Sequence, residues 1–160
     1  MAATLRRDGS AKALPIDDSL FFKLVRLVNL TARPFMETFS REHRLSLNEW
    51  RVMIVLASHP GVAAREVVDA TGLDKMSVSR AIAALARHRR VDKQSDPADA
   101  RRTLLCLSRQ GLTLFETIGH QGAQREAALF SGLASEEHAA LARIIDRLIA
   151  GLDRSEAEQA

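Results

Sequence analysis

Between Arg90 and Ser108 the apolar spacing of this chain changes period, and that change limits the possible folds more than any other feature. On both sides of the segment apolar residues recur in steps of three and four, the spacing of a helix face. Inside it, Val91–Ser95 and Thr103–Leu107 are short β-compatible runs around the turn-rich Asp96-Pro97-Ala98-Asp99. The expectation is a small hairpin set into an otherwise helical chain. Composition agrees: 160 residues contain 8 Gly, 4 Pro and no Tyr, while Ala, Leu and Arg are plentiful, a balance that favours helix over sheet. The length suits one domain, or one core with appended helices, and can bury a hydrophobic core without staples.

Residues 1–15 are mixed, small and charged, and read as a flexible arm. A long stripe follows, Leu20, Leu24, Leu27, Val28, Thr31, Phe35 and Phe39, with Asp17 or Asp18 as its cap. Pro34 removes a backbone donor within it, so a kink or two abutting helices are expected there. Ser46 and Glu49 form a capping-box pair ahead of a helix whose apolar positions are Trp50, Met53, Ile54 and Ala57, ending at Pro60-Gly61. A short helix from about Ala63 to Thr71 turns Val67 and Ala70 inward, and Gly72 follows it as a natural left-handed terminator. Asp74 caps the next helix, with Val78, Ile82 and Leu85 on its apolar face. After the hairpin, Ser108 starts a helix running through Leu114, Ile118 and Arg125 towards Phe130. Ser135 caps the last helix, whose first turn carries Glu136 and Glu137. Its apolar stripe is Leu141, Ile144, Ile145, Leu148, Ile149 and Leu152.

Charge is unevenly distributed. The formal net charge is only +3, which by itself says little about nucleic acid. From Asp74 to Arg102, however, eight basic residues stand against four acidic ones, while from Leu133 to the end six acids stand against three arginines. The first segment is suited to facing phosphates. With one cysteine, Cys106, no intramolecular disulfide can form. Cys106 alternates with leucines in an expected strand, so it reads as a small buried hydrophobe rather than a redox sensor. No secretory signal or membrane-length apolar run is evident, and a cytoplasmic protein is expected. The histidines lack metal-ligand spacing. No phosphate-binding glycine loop, nucleophile elbow or zinc-hydrolase motif occurs. No enzyme, cofactor, catalytic residue or metal is expected.

The order helix, Gly-containing turn, helix, β-hairpin is the layout of a winged helix-turn-helix. If Val78, Ile82 and Leu85 are buried, a rotation of about 100° per residue places Met76, Arg80, Ala83 and Arg87 on the opposite face, flanked by Ser77 and Ser79. Small, polar and cationic side chains on that face suit a major groove, where arginine can fork onto guanine and serine can bond bases or phosphates. Any amphipathic helix has a solvated face; the hairpin that follows, with Arg101 and Arg102 at its base, is what favours DNA.

Three segments then resemble the MarR (multiple antibiotic resistance regulator) family. LSLNEWRVMIVLASHPG is similar to its second helix, REVVDATGLDKMSVSRAIAALARHRRVDK to its helix-turn-helix, and SDPADARRTLLCLSRQG to its wing. The resemblance covers nearly all the chain beyond residue 15. It implies a mainly α fold, a winged helix-turn-helix with a small two-stranded β wing, and terminal helices that form a dimerisation region. The organisation implied is a single fold over 16–160, with a DNA-binding lobe at 46–107 and dimerisation helices at 16–45 and 108–153. The function implied is a transcriptional regulator, a repressor released by a small-molecule effector, which binds a pseudo-palindromic operator in double-stranded DNA as a homodimer. The DNA-facing residues would be Lys75, Met76, Ser77, Ser79, Arg80 and Arg87 of the recognition helix, and Asp99, Arg101 and Arg102 of the wing. Asp99 would orient Arg101 by a charge-assisted hydrogen bond. A small aromatic or anionic effector would meet Arg26, Arg33, Trp50 and Arg51, although core packing is the simpler role for Trp50. The competing reading is a helical dimerisation module whose winged domain binds protein; the local positive excess favours DNA. The chain departs from the family at Arg89, where a glycine usually ends the recognition helix. A left-handed Arg89 would cost about 1 kcal/mol or more, so the helix end should change shape, unless the extra charge serves a phosphate contact.

Overall fold

The computed structural model describes residues 18–34, 37 and 39–158. The expected arm at 1–15, the alternative cap Asp17 and the stripe position Phe35 lie outside them. Seven helices and one hairpin are present among the described residues, in the order α1 (Leu20–Pro34), α2 (Ser40–His43), α3 (Leu47–Ser58), α4 (Ala64–Thr71), α5 (Lys75–Arg87), β1 (Val91–Ser95), β2 (Thr103–Leu107), α6 (Arg109–Phe130) and α7 (Ser135–Ala157). They fall into two compact units, one ending at Ser108 and one beginning at Arg109. No described helix is long and apolar enough to cross a membrane.

The core of the first unit is where α3, α4, α5 and the hairpin meet. Val52, Met53 and Leu56 of α3, Val67 of α4 and Val78, Ala81, Ile82 and Leu85 of α5 are buried, together with Leu45, Val91, Leu105 and Leu107. The antiparallel strands pair Val91 with Leu107 and Ser95 with Thr103, matching the expected limits. Gly61 and Val62 add a short bridge: Gly61 N–H donates to Leu105 O at 2.9 Å, and Leu105 N–H to Val62 O at 2.9 Å. Gly61 takes φ 85 to make that approach.

Several local expectations are corrected. The α1 cap is Ser19, whose Oγ accepts from Phe22 N–H at 3.2 Å; Asp18 sits in the preceding turn. In line with one of the two alternatives at Pro34, α1 ends there and a separate helix α2 begins at Ser40, with the stripe position Phe39 as its N-cap residue. On α3 the buried set is Glu49, Val52, Met53 and Leu56, one residue earlier than the apolar pattern suggested. Ile54 is exposed and Trp50 and Ala57 are half-buried. The cause is Glu49, which reads as a surface residue. Its carboxylate accepts from Ser46 N–H at 2.8 Å, while Ser46 Oγ accepts from Glu49 N–H at 3.2 Å, so the capping box satisfies the charge and lets that face turn inward. On α4, Ala70 is exposed, and the next residue, Thr71, turns back, its hydroxyl donating to Val67 O at 2.7 Å. The α7 cap position belongs to Ala134, whose N–H donates to Glu137 at 2.8 Å; Ser135 is the first helical residue. Cys106 is half-buried rather than buried, opposite Asp92 in the register.

The end of α5 keeps the shape that glycine normally provides, without glycine. Arg89 is left-handed, with φ 55. Its N–H donates to Ala86 O at 2.9 Å, and Arg90 N–H donates to Leu85 O at 2.9 Å, the paired bonds of a Schellman ending. Ser108 Oγ donates to Arg89 O at 2.6 Å, and Ser108 N–H donates to Arg90 O at 3.0 Å. The following side chain goes inside: Arg90 is buried, its guanidinium donating to Arg44 O at 3.1 Å and to His43 O. These carbonyls lie at the end of α2, where a cation complements the helix dipole. Desolvation holds the Arg90 pKa below the usual arginine value, and nearby Glu49 partly offsets this.

Because Arg89 adopts a backbone region that costs a side-chain-bearing residue about 1 kcal/mol, Arg89→Gly should stabilise the protein by that order and raise its urea midpoint. A lower midpoint would show that the arginine side chain contributes more than the strain removes.

Candidate nucleic-acid interface

Helices α4 and α5 are joined by a turn that the local chemistry dictates. Gly72 is left-handed, φ 63, and its N–H donates to Val68 O. Leu73 N–H then donates to Thr71 Oγ1 at 3.3 Å, and Asp74 opens α5. Its carboxylate accepts from Ser77 N–H at 2.8 Å and from Ser77 Oγ at 2.5 Å. The hydrogen bond from the Ser77 hydroxyl, then that from its backbone N–H, hold the Asp74 pKa below the usual carboxylate value. The cap sets where α5 begins, and therefore which side chains its rotation turns outward.

The outward face is the one expected. Met76, Arg80, Ala83 and Arg87 are exposed, while Val78, Ala81, Ile82 and Leu85 are buried. Lys75 and Ser79 are exposed beside that face. Ser77 differs: it is half-buried, with its hydroxyl engaged by Asp74. The outer face of α5 is thus a cationic strip with small residues between the charges.

The wing turn is built by its own aspartates. Asp96 Oδ1 accepts from Ala98 N–H at 2.8 Å, and Asp99 Oδ1 accepts from Arg101 N–H at 3.0 Å. The same Asp99 oxygen accepts from Arg101 Nε at 3.3 Å, so the expected Asp99–Arg101 pair is present. The Arg101 side chain is 93% exposed. Arg102 is placed differently: one nitrogen lies 2.5 Å from Glu66 Oε2 and the other 3.7 Å from Asp96 Oδ2. The hydrogen bond to Glu66 raises its pKa. Glu66 is held below the usual carboxylate value, chiefly by Ala63 N–H and then by Arg102.

Between α4, α5 and the hairpin lies a groove of about 700 Å³, with Val78 and Leu105 in its floor and Arg65, Lys75, Ser79 and Lys93 on its walls. The sequence reading did not single out Arg65 or Lys93 as site residues. Lys93 stands in the basic run, and that local charge excess is the signal the sequence carries for it. Arg65 gave none, because its approach to the hairpin is tertiary. Of the residues named for an effector, Arg26 and Arg33 share a shallow concavity of about 280 Å³ on α1 with Phe22 and Leu30. Trp50 and Arg51 lie on α3 and do not line it; Arg51 donates to Asn48 Oδ1 at 3.3 Å. Among the described residues, no three His, Cys, Asp or Glu side chains group as metal ligands.

Residues 44–102 match the model of the MarR family. Among solved structures, the chain is similar to the PcaV transcriptional regulator from Streptomyces coelicolor in complex with its natural ligand, at 25% identity and TM-score 0.73, covering 86% of this chain and 96% of that one. It is similar to a MarR/EmrR family transcriptional regulator from Acinetobacter sp. ADP1, at 23% identity and TM-score 0.80, covering 88% and 99%. It is also similar to BpsR of Bordetella bronchiseptica, whose DNA binding is regulated by 6-hydroxynicotinic acid, at 23% identity and TM-score 0.73, covering 88% and 97%. No curated protein matches the chain significantly.

The Asp74 cap has a pH signature. A carboxylate whose folded pKa is depressed stabilises the fold above its unfolded pKa, about 3.9, and loses that contribution as pH falls through the lower folded value. Asp74→Asn keeps an oxygen acceptor for Ser77 N–H but removes the titration. The acid limb of its melting-temperature profile should therefore be flatter than that of the wild type. Superimposable profiles would mean that the cap charge contributes nothing.

Proposed function

We propose, from the match of residues 44–102 to the MarR family model, that this chain is a transcriptional repressor that binds a pseudo-palindromic operator as a homodimer and is released by a small aromatic or anionic effector. The observation that carries the reading is the exposed cationic face of α5, bearing Arg80 and Arg87, on the same unit as a wing that presents Arg101 held by Asp99. Lys75, Met76, Ser79, Arg80 and Arg87 face the major groove, while Ser77 serves the Asp74 cap. Arg80 is suited to fork onto a base edge, and Ser79 to bond a base or phosphate. Arg101 reaches the minor groove or the phosphates beside it, and its hydrogen bond to Asp99 reduces the freedom lost on contact.

The homodimer reading is supported by apolar surface that a monomer would leave in water. On α1, Leu20, Phe21, Leu27 and Val28 are exposed, and on α7 so are Ile144, Leu148, Ile149 and Leu152. Exposed apolar stripes on helices of this kind mark association sites. The effector reading is supported by PcaV, solved with its natural ligand, and by BpsR, regulated by 6-hydroxynicotinic acid. On this chain Arg26 and Arg33 would meet the acidic group; Trp50 and Arg51, on α3, lie outside the concavity that those two line. The protein acts in the cytoplasm as a binding protein rather than an enzyme.

Fluorescence anisotropy with a duplex that the protein itself selects from random-sequence DNA tests the reading. Binding should weaken steeply with salt, and sedimentation at micromolar concentration should give twice the chain mass. A salt-independent signal or a clean monomer would overturn the two-fold DNA model.

Two substitutions test the recognition surface in the same titration. Arg80→Ala should cost about 1–3 kcal/mol of specific binding with the fold intact. Asp99→Ala removes a negative charge from the wing, and simple electrostatics expects tighter binding; an orienting role expects weaker binding. Tighter binding at every salt concentration would reduce Asp99 to a turn residue.

A further inference from the structure

Among the described cations of the basic segment, Arg102 is set apart by two carboxylate partners, one of them on another element. Its guanidinium donates to Glu66 Oε2 at 2.5 Å, across 36 residues of sequence, and lies 3.7 Å from Asp96 Oδ2. The same Glu66 oxygen accepts from Ala63 N–H at 2.8 Å, in the N-terminal turn of α4. Asp96 belongs to the wing turn, and its own N–H donates back to Arg102 O at 2.9 Å. One side chain thus ties the cap of α4 to both sides of the wing turn.

The outer wing has little else to hold it. Val91, Leu105 and Leu107 bury its root, but Asp92–Ser95 and Thr103 are exposed, and a two-stranded hairpin is marginal by itself. A phosphate approaching Arg102 would also approach the carboxylates of Glu66 and Asp96. Two nearby negative charges oppose the attraction of one guanidinium. Arg101, by contrast, has one carboxylate partner at 3.3 Å and a side chain 93% exposed, against 45% for Arg102.

We propose that Arg102 is a positioning residue for DNA binding, clamping the wing to α4 through Glu66 so that Arg101 is presented from a fixed root, and that it does not itself contact phosphate. This rests on the DNA-binding reading above and replaces the role that the basic run assigned to Arg102. The clamp gives Glu66 a function as well: an acid on the DNA-facing unit that favours binding instead of opposing it.

The test is a double-mutant cycle in the full chain, with Glu66→Gln, Arg102→Gln and the double variant, titrated against the selected duplex at several salt concentrations. Glu66→Gln keeps an amide oxygen for Ala63 N–H, so α4 retains its cap. Each single variant should bind about threefold to tenfold more weakly, with the double no weaker than the worse single, as residues acting through one contact require. The salt slope should stay at the wild-type value throughout. Arg102→Lys, which keeps the charge facing Glu66, should recover most of the binding and serves as the control for folding.

Tighter binding by Glu66→Gln would overturn the clamp, as would unchanged binding in all variants. So would a salt slope lowered by about 0.9 in Arg102→Gln, the signature of one lost phosphate contact. A wild type that binds no duplex would instead defeat the DNA reading. The tether would still be read by amide hydrogen exchange at Ala98 and Arg102, faster in Glu66→Gln than in the wild type; equal exchange would defeat the tether itself.

Discussion

Burial of one stripe of α5 is the constraint on which the first unit depends. Val78, Ala81, Ile82 and Leu85 are inside, against Val52, Met53 and Leu56 of α3 and Val67 of α4. Burying one Val, Leu or Ile side chain is worth about 1.5–3 kcal/mol, which exceeds the roughly 1 kcal/mol charged for a left-handed arginine. That comparison explains why α5 ends in the usual way at Arg89 without a glycine. Altering the ending would misdirect Arg90 and the first strand, whose Val91 belongs to the same core. With one face buried, the helix period alone turns Arg80, Ala83 and Arg87 outward.

The basic run from Lys75 to Arg102 looks uniform in sequence, yet the fold sorts its cations by environment. Arg90 is buried and donates to carbonyls at the end of α2. Arg102 is half-exposed and shared between two carboxylates. Arg80, Arg87 and Arg101 are exposed. Counting charge overstates what is available to phosphate, because a guanidinium satisfied within the protein must give up partners before it can gain new ones. The acids of the wing are equally misleading in sequence. Asp96 and Asp99 accept backbone N–H groups that the turn would otherwise leave unpaired, so their cost to DNA attraction is offset by the shape they maintain.

The two terminal stripes present the converse case. Leu20 to Leu30 and Ile144 to Leu152 are as helical as the periodicity suggested, but they remain exposed in the single chain. Periodicity shows that a helix has an apolar face; it does not say whether the covering surface comes from the same chain or from another. The α3 helix shows a related limit. There the apolar count picked a face one residue out of phase, because it gave no weight to Glu49, whose carboxylate the capping box with Ser46 satisfies as that face turns inward.

What the sequence determined by itself is whatever closes within a turn or follows from a single period: the order of elements, the limits of the hairpin, the caps at Ser46, Asp74 and Gly72, the Asp99–Arg101 pair, and the opposed faces of α5. Each depends on residues two to four apart, or on the rotation of one helix. Only the tertiary structure decided that Arg90 lies inside, that Arg102 answers to Glu66, and that Arg65 and Lys93 share a groove with Ser79. The hydrogen bonds of Arg90 and Arg102 join residues 36 to 47 positions apart. An arginine carries the same charge and donors wherever it stands, so its role is set by the acceptors that the fold brings within reach.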